Sequence, residues 1–449
     1  MIEHTERRGK SRPQIYATIP GGVIFFSAGM NLAISVGWAK FGMMGTTKHF
    51  CNSWLIGVIA GTILSTMLRK FLSKKVLWII SSVLIFTCGL IFTAVPDTYD
   101  ALLAGRYLSG IGVGLAIVSF IMHASEIAVK KHRGRCLVVE QFSMSLGIAV
   151  QMIYTSNWNA EWEFSTYRMH GILEIVLAFL GVAALILFIE SPIDQIRWGN
   201  DHAALTCYSK LRLIDHHSKE AYDLLSLGKV YVSEEESLSF VENLKRGLLP
   251  LVKMLMFRSV VVALCFSLPF SAAFQYSSEK NDTEWVATVA ACGRLLGAIC
   301  VIYLVDSVGR KTTSLLTMFI AGGMLIGLGP LFSSLSSTED TSNMATATYL
   351  CTCMQFAVGY FTPFTSVYLG EAFPLLMKPY FIALCVIAEQ LVHIVLISTI
   401  SVDLSLMDHG IIIAVIFFIS CFTMPETKNT TLQEAQRRFR RWFNIGKNY

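Results

Sequence analysis

The chain has 449 residues, of which 54% are hydrophobic and only 15% charged, with a mean hydropathy of +0.56 and a formal net charge of +5. Soluble domains carry close to a quarter charged residues, so the composition excludes a soluble globular protein and describes a polytopic membrane protein. The 11 cysteines are scattered, mostly within apolar segments, with only Cys51 placed in an outer loop, and they imply no disulfide framework.

The first sixteen residues are polar and basic (Arg7, Arg8, Lys10, Arg12), and the apolar run after them is long enough to span. It is expected to stay as the first helix rather than be cleaved as a signal peptide. A bilayer core needs about 20 residues of helix, and on that measure twelve spans are predicted: 17–39, 51–69, 76–95, 100–124, 136–155, 168–189, 259–277, 285–305, 312–333, 345–369, 380–401 and 409–424.

Orientation follows from the basic residues. With the N-terminus inside, 30 of the 36 lysines and arginines fall on inner segments; outer loops hold Lys40, Lys48, Arg168 and Lys280, and Arg106 and Arg294 lie within spans. Both termini are therefore expected in the cytoplasm. The sequon Asn281-Asp282-Thr283 then falls outside, open to glycosylation at Asn281, while Asn429-Thr430-Thr431 falls inside and is expected to be silent.

Four regions follow: a six-helix bundle over 1–190, a linker over 191–258, a second six-helix bundle over 259–424 and a basic tail over 425–449. The linker carries Leu211, Leu213, Leu224, Leu225, Leu238 and Leu244 among charges, a pattern for short amphipathic helices on the cytoplasmic face. The tail, with Arg437, Arg438, Arg440 and Arg441 beside Phe439, Trp442 and Phe443, suits anionic lipid on the inner leaflet; nucleic acid is not an expected partner.

The two bundles read as a repeat. Gly57 and Gly61 recur as Gly293 and Gly297, and Lys74 and Lys75 as Arg310 and Lys311, all at an offset of 236 that Glu190 and Glu426 keep; Glu126 and Arg133 recur as Glu371 and Lys378 at 245. Duplicated halves about an axis along the membrane normal are how many secondary transporters place one site between two bundles.

Charges inside spans point the same way. Arg106 opens a span 4 whose Gly110, Gly112 and Gly114 permit close helix approach. An arginine at mid-membrane costs roughly 2.5–3.5 kcal/mol, so it needs a partner or a water-filled cavity. Glu140 and Glu174, on neighbouring spans, are candidate partners for Arg106 or Arg168. In span 11, Glu389 and His393 stand one turn apart as candidate proton carriers. His123, His393 and the acids are dispersed without ligand spacing, so neither an enzyme nor a metal or cofactor site is expected.

Taken as a set, these motifs resemble the sugar porter branch of the major facilitator superfamily over most of the chain. Gly105 to Gly114 match its Gly-Arg-x-x-x-Gly-x-Gly-x-Gly; Ser125 to Ala128 with Arg133-Gly134, Asp306 to Lys311, and Pro425 to Lys428 with Thr431 to Glu434 match three further signatures, and Glu371 to Pro374 with Lys378 is similar to the span 10 motif. The resemblance implies an all-α membrane fold of twelve helices in two pseudo-symmetric bundles, alternating access to a midplane site, and a small sugar-like substrate. A monomer in the plasma membrane is expected.

It also implies roles. Glu126, Glu190, Asp306, Glu371 and Glu426 are expected to meet Arg133, Arg310 and Lys378, with Gly309, in a cytoplasmic latch between the halves. Gln141, seven residues after Gly134, matches the span 5 glutamine that bonds a sugar hydroxyl, and an amide both donates and accepts. Asn31 stands where proton-coupled sugar porters have an aspartate and facilitative ones an asparagine, so facilitated diffusion is expected, with Arg106 bonded rather than switched. Asn31, Arg106, Gln141, Gln275, Thr362, Ser366, Glu389 and Gln390 form the expected substrate site.

Departures from the family pattern define the rival readings. The span 7 glutamine pair and the span 10 tryptophan are missing, the latter position falling on Ser366; the span 11 Asn-Trp pair reads Glu389-Gln390. The first-half Asp-Arg-x-Gly-Arg-Arg reads Lys70-Phe71-Leu72-Ser73-Lys74-Lys75, and Ile193 replaces the arginine after Pro192. A sugar sensor that binds without translocating, or a proton-coupled carrier of another small organic solute, are the alternatives.

Overall fold

A membrane offers no water to backbone amides, so spanning segments must satisfy their hydrogen bonds internally, and among the described residues the chain is helices and their connections. The computed structural model describes residues 12–39, 47–159, 163–283, 285–333, 341–399 and 406–445. The tail bases Arg7, Arg8 and Lys10 and the loop residue Lys40 lie outside them.

The first half consists of Ile19–Ser35 (span 1), Lys48–Leu68 (span 2), Lys74–Ala94 (span 3), Tyr99–Ile127 (span 4), Arg133–Ser156 (span 5) and Thr166–Ala184 (span 6). Short hydroxyl side chains start several of them: Thr47, Ser73 and Ser165 each accept from a backbone N–H in the first turn, which satisfies one of the donors a helix start leaves orphaned. Cys51 lies inside span 2 and is buried, not in a loop.

Span 7 departs from expectation. A helix runs from Phe240 to Met254, passes through a π-helical turn at Leu255–Val260 and continues over Val261–Cys265; after a break at Phe266 and Ser267 it resumes as Leu268–Lys280. The break falls just ahead of Pro269, where an amide donor is missing. The expected linker boundary at 258 thus lies inside this element, and Arg258, counted there as a linker base, is fully buried within it. Lys245, Arg246, Lys253 and Arg258 dilute the hydropathy of this stretch, which is why its start escapes a hydropathy reading.

Spans 8 to 12 are Val286–Leu304, Arg310–Ser333, Thr341–Glu371, Lys378–Ser398 and Leu406–Thr423. Three helices, Pro192–Arg197, Asp201–Arg212 and Lys219–Glu236, connect the halves, and Leu432–Phe439 follows span 12. We call the side that carries them the linker face. Large apolar side chains such as Phe179, Ile186, Phe319 and Phe418 stay exposed on the rim of the bundle, the surface that lipid covers.

Packing repeats between the halves. Span 2 lies along span 4 and span 8 along span 10; across the interface, span 5 packs on span 8 and span 2 on span 11. Small residues set these distances. A Cβ added at Gly29 would fall 2.0 Å from the Met144 carbonyl oxygen of span 5, and one at Gly359 2.0 Å from that of Arg294. Gly110 and Gly114 face span 2, whereas Gly112 turns toward Ser81 of span 3, so the glycines of span 4 serve two neighbours.

Gly29→Ala therefore forces spans 1 and 5 apart and is expected to cost at least about 1–3 kcal/mol, read as a lower thermal midpoint in detergent. Gly323→Ala, whose Cβ meets nothing within 4 Å, is expected to be neutral or slightly stabilising.

A charged cluster between the two halves

Arg258 is placed by the π-turn. One extra residue in that turn re-aims the side chains around it, and the guanidinium points between the halves. Its Nη2 donates to Glu140 Oε1 of span 5 at 2.6 Å and its Nη1 to Glu140 Oε2 at 3.3 Å; its Nε donates to Glu389 Oε2 of span 11 at 3.2 Å. Thr365 and Ser366 of span 10 each accept from Nη1 at 3.3 Å, and the Ser366 hydroxyl donates to Glu140 Oε2 at 2.5 Å. All three charged side chains are at most 4% exposed.

Glu140 comes from the first half and its partners from the second, so this cluster ties the two bundles together within the buried interface. Next to it, Gln141 Nε2 donates to Glu140 Oε1 at 3.2 Å. Buried polar atoms without a partner gather on the same elements: Thr362 Oγ1, Gln390 Oε1 and both ring nitrogens of His393. Such atoms are costly unless something else bonds them.

A second cluster lies wholly within the first half. Asn31 Nδ2 donates to Glu174 Oε1 of span 6 at 2.7 Å and to Ser109 Oγ at 3.2 Å, and the Ser27 hydroxyl donates to the same carboxylate at 2.7 Å. Arg106 donates from Nη2 to Ser35 Oγ at 2.5 Å and from Nε to the Phe50 carbonyl at 3.0 Å, with the Phe50 ring centroid 4.8 Å from its guanidinium carbon. Neither Glu140 nor Glu174 makes an ion pair with Arg106, and Arg168 bonds the Thr93 carbonyl instead.

On the linker face the halves are fastened by Glu371. It receives Arg133 Nε from the first half at 2.6 Å and Arg310 Nη1 at 2.8 Å. Asp306 accepts from the backbone N–H groups of Gly134 and Arg135, both at 3.1 Å, and from Arg310 Nη2 at 2.9 Å. A Cβ at Gly134 would lie 2.4 Å from Asp306 Oδ1, so only glycine admits this approach. Lys378 Nζ donates to Ser125 Oγ across the interface at 2.5 Å.

The opposite face is also bridged. Lys48 donates to the Ser398 carbonyl at 2.8 Å, Asn157 to Thr288 Oγ1 at 2.9 Å and Gln275 to the Gly37 carbonyl at 3.3 Å. Trp38 and Phe274 meet edge-on with centroids 5.9 Å apart, beside a cavity of about 260 Å³ lined by both halves. With contacts on both faces, the structure is a closed form.

Residues 19–439 match the family model described as "Sugar (and other) transporter". The chain belongs to this family. Among curated relatives of the sugar transporter family, it is 24% identical over 438 residues to myo-inositol transporter FST1 of Gibberella moniliformis, covering 89% of this chain and 73% of that protein. It is 24% identical over 402 residues to probable polyol transporter 3 of Arabidopsis thaliana, covering 80% and 77%. Among solved structures, the proton:xylose symporter XylE bound to 6-bromo-6-deoxy-D-glucose superposes with a TM-score of 0.76 at 18% identity, over 96% of this chain and 99% of that one. The expected all-helical major facilitator fold is therefore the fold of this sugar transporter family member, and its relatives are transporters rather than enzymes.

The expected site residues separate into groups. Gln141, Ser366 and Glu389 meet at the Arg258 cluster, with Thr362 and Gln390 on the same elements. Asn31 and Arg106 do not join them; each is held by partners inside the first half. Gln275 belongs to the cavity near the opposite face. Of the expected latch, Arg133, Asp306, Arg310, Glu371 and Lys378 make bonds as described, whereas Glu126 pairs with Lys74 at 2.6 Å and accepts from Ser191 at 2.8 Å on its own side. Glu426 accepts from the Lys311 and Lys428 backbone N–H groups, beside Gly309, and so fastens the tail to the second half. Glu190 makes no ion pair among the described residues; burial raises its carboxyl above the ordinary value, against the pull of Lys74. At the sequon, Asn281 Nδ2 is engaged by the Ser277 carbonyl and Thr348 Oγ1.

The sequence reading missed Glu140 and Arg258 as a pair. Neither matches a family signature, and 118 residues separate them. The available signal was an acid, Glu140, inside a predicted span, which needs a partner.

Two outcomes follow. Arg258→Met leaves two carboxylates facing each other and is expected to cost about 3–5 kcal/mol, as breaking a buried pair does; adding Glu140→Leu and Glu389→Leu should restore most of the thermal midpoint. Glu371→Gln weakens both arginine contacts on the linker face. In a variant retaining Cys136 alone, which is buried next to Arg135, it is expected to raise labelling by an impermeant thiol reagent about tenfold, the population change that roughly 1.4 kcal/mol produces.

Proposed function

We propose that the chain carries a sugar, a polyol or a related polyhydroxylated solute through the plasma membrane by alternating access, as a monomer and by facilitated diffusion. The carrying observation is the Glu140–Arg258–Ser366 contact, which gathers polar groups from both halves in the buried interface, where a neutral hydroxyl-rich solute finds donors and acceptors. Names of relatives, a myo-inositol transporter and a polyol transporter among them, agree with that solute class. Opening toward either face separates Glu140 from Arg258, so a solute that bonds the freed groups lowers the cost of the transition.

The bias of basic residues supports a cytoplasmic linker face, and the Glu371 and Asp306 contacts then act as the inner latch. An amide at Asn31 cannot carry a proton, which supports downhill transport. Glycosylation at Asn281 belongs to the same topology and requires release of its amide from Ser277 and Thr348.

Uptake of labelled myo-inositol, hexoses and polyols into vesicles containing the purified protein tests this. Saturable flux that equilibrates without accumulating, and is unchanged by a proton ionophore, is expected. Gln141→Ala should raise the half-saturation concentration about tenfold, the equivalent of one buried hydrogen bond of roughly 1–1.5 kcal/mol. Binding without flux would instead favour the sensor reading. Ionophore-sensitive accumulation that Glu174→Gln abolishes would move proton coupling to span 6.

A further inference from the structure

The repeat exposes an asymmetry on the linker face. In the second half, Asp306 supplies a carboxylate that gathers Arg310 and two backbone N–H groups. At the offset of 236 its first-half counterpart is Lys70, just as Lys74 corresponds to Arg310. The position that carries a negative charge in one half therefore carries a positive charge in the other.

A cavity of about 240 Å³ opens at that place, between the ends of spans 2, 3 and 4 and the linker helices. Four bases line it, Arg69, Lys70, Lys74 and Arg197, against two acids, Asp194 and Glu236. The acids are committed: Asp194 pairs with Lys74 at 2.7 Å and Glu236 with Arg197 at 3.0 Å. So are the hydroxyls, since Ser65 donates to the Leu115 carbonyl, Ser119 to that of Ala116, and Ser73 caps span 3. Arg69 is different. Half-buried, with five N–H groups to place, it donates from Nη1 to the Met122 thioether at 3.4 Å and makes no ion pair with a carboxylate among the described residues.

We propose that this cavity binds a phosphate group, held by Arg69 and Lys70, in the role that Asp306 fills in the second half. Guanidinium groups match phosphate oxygens two at a time, and the start of span 3, at Ser73 and Lys74, adds the favourable end of its helix dipole. Sugars are poorly suited here, because Ser65 and Ser119 already donate their hydroxyls to backbone carbonyls and the unpaired groups are cationic. The phosphate comes either from a lipid headgroup or from a free phosphate compound. Phe71, Trp198 and Met67 are exposed around the site, 83%, 58% and 62% respectively, which sets the cavity at the level where headgroups meet the acyl region. Bound there, the anion ties the loop between spans 2 and 3 to the linker helices and stabilises the closed linker face.

The test uses the full chain. Thermal midpoints are measured in neutral detergent with inorganic phosphate against chloride at matched ionic strength, and in phosphatidylcholine nanodiscs with and without phosphatidic acid. Each is repeated for Arg69→Gln and for Lys70→Asp. A rise of several degrees with inorganic phosphate, lost in Arg69→Gln, assigns a free anion; a rise only with phosphatidic acid, lost in the same variant, assigns a headgroup. Lys70→Asp, which restores the carboxylate of the repeat, is expected to fold and to give no response to either. A response that survives both substitutions, or no response of the unmodified chain in either arm, overturns the proposal.

Discussion

A charge taken out of water must be met by another charge or by hydrogen bonds that replace its hydration, and that constraint organises the interior of this protein. Arg258 is fully buried and held by Glu140 and Glu389, with Ser366 and Thr365 completing its bonds. Because Glu140 belongs to the first half and the rest to the second, the part of the desolvation penalty that Glu140 offsets depends on the halves being together. The contact between the halves is therefore built on a buried ion pair.

The linker face uses the same chemistry with more partners. Two backbone N–H groups donate to Asp306, and the Thr427 and Thr430 carbonyls accept from Arg310 and Arg133 beside Glu371. Salt bridges arranged this way bias a two-state equilibrium without locking it. On the opposite face the closure has no ion pair among the described residues; it is made of an edge-on Trp38–Phe274 contact, the Lys48 ammonium on the Ser398 carbonyl and two neutral hydrogen bonds.

Pseudo-symmetry explains both the resemblance between the halves and their divergence. Span pairs 2–4 and 8–10 pack alike, and 5–8 mirrors 11–2, because close-approach glycines were kept in both copies. The charged positions were not kept. Asp306 has no carboxylate counterpart at Lys70, and Arg258, in the π-turn of span 7, has no basic counterpart at position 22, a glycine of span 1. Backbone packing tolerates little change, while a side chain facing a cavity is free to take a new partner.

Much of this was legible in the sequence for a physical reason: the bilayer imposes a span length and a hydropathy on every crossing, and latch motifs lie in short segments whose residues stay together. Twelve spans, the basic bias of the linker face and the meeting of Arg133, Arg310 and Glu371 all follow from such local rules. What the tertiary structure alone decided is which buried charge meets which. Asn31 and Arg106, placed in one cavity with Gln141 by resemblance, are instead satisfied by Glu174, Ser35 and Phe50 within the first half, and Glu140 turns to Arg258. The π-turn at Leu255–Val260 and a helix beginning near Phe240 carry Arg258 into the interface. Neither hydropathy nor motif spacing encodes that rotation, because the partners lie more than a hundred residues apart and are selected by the geometry of packed helices.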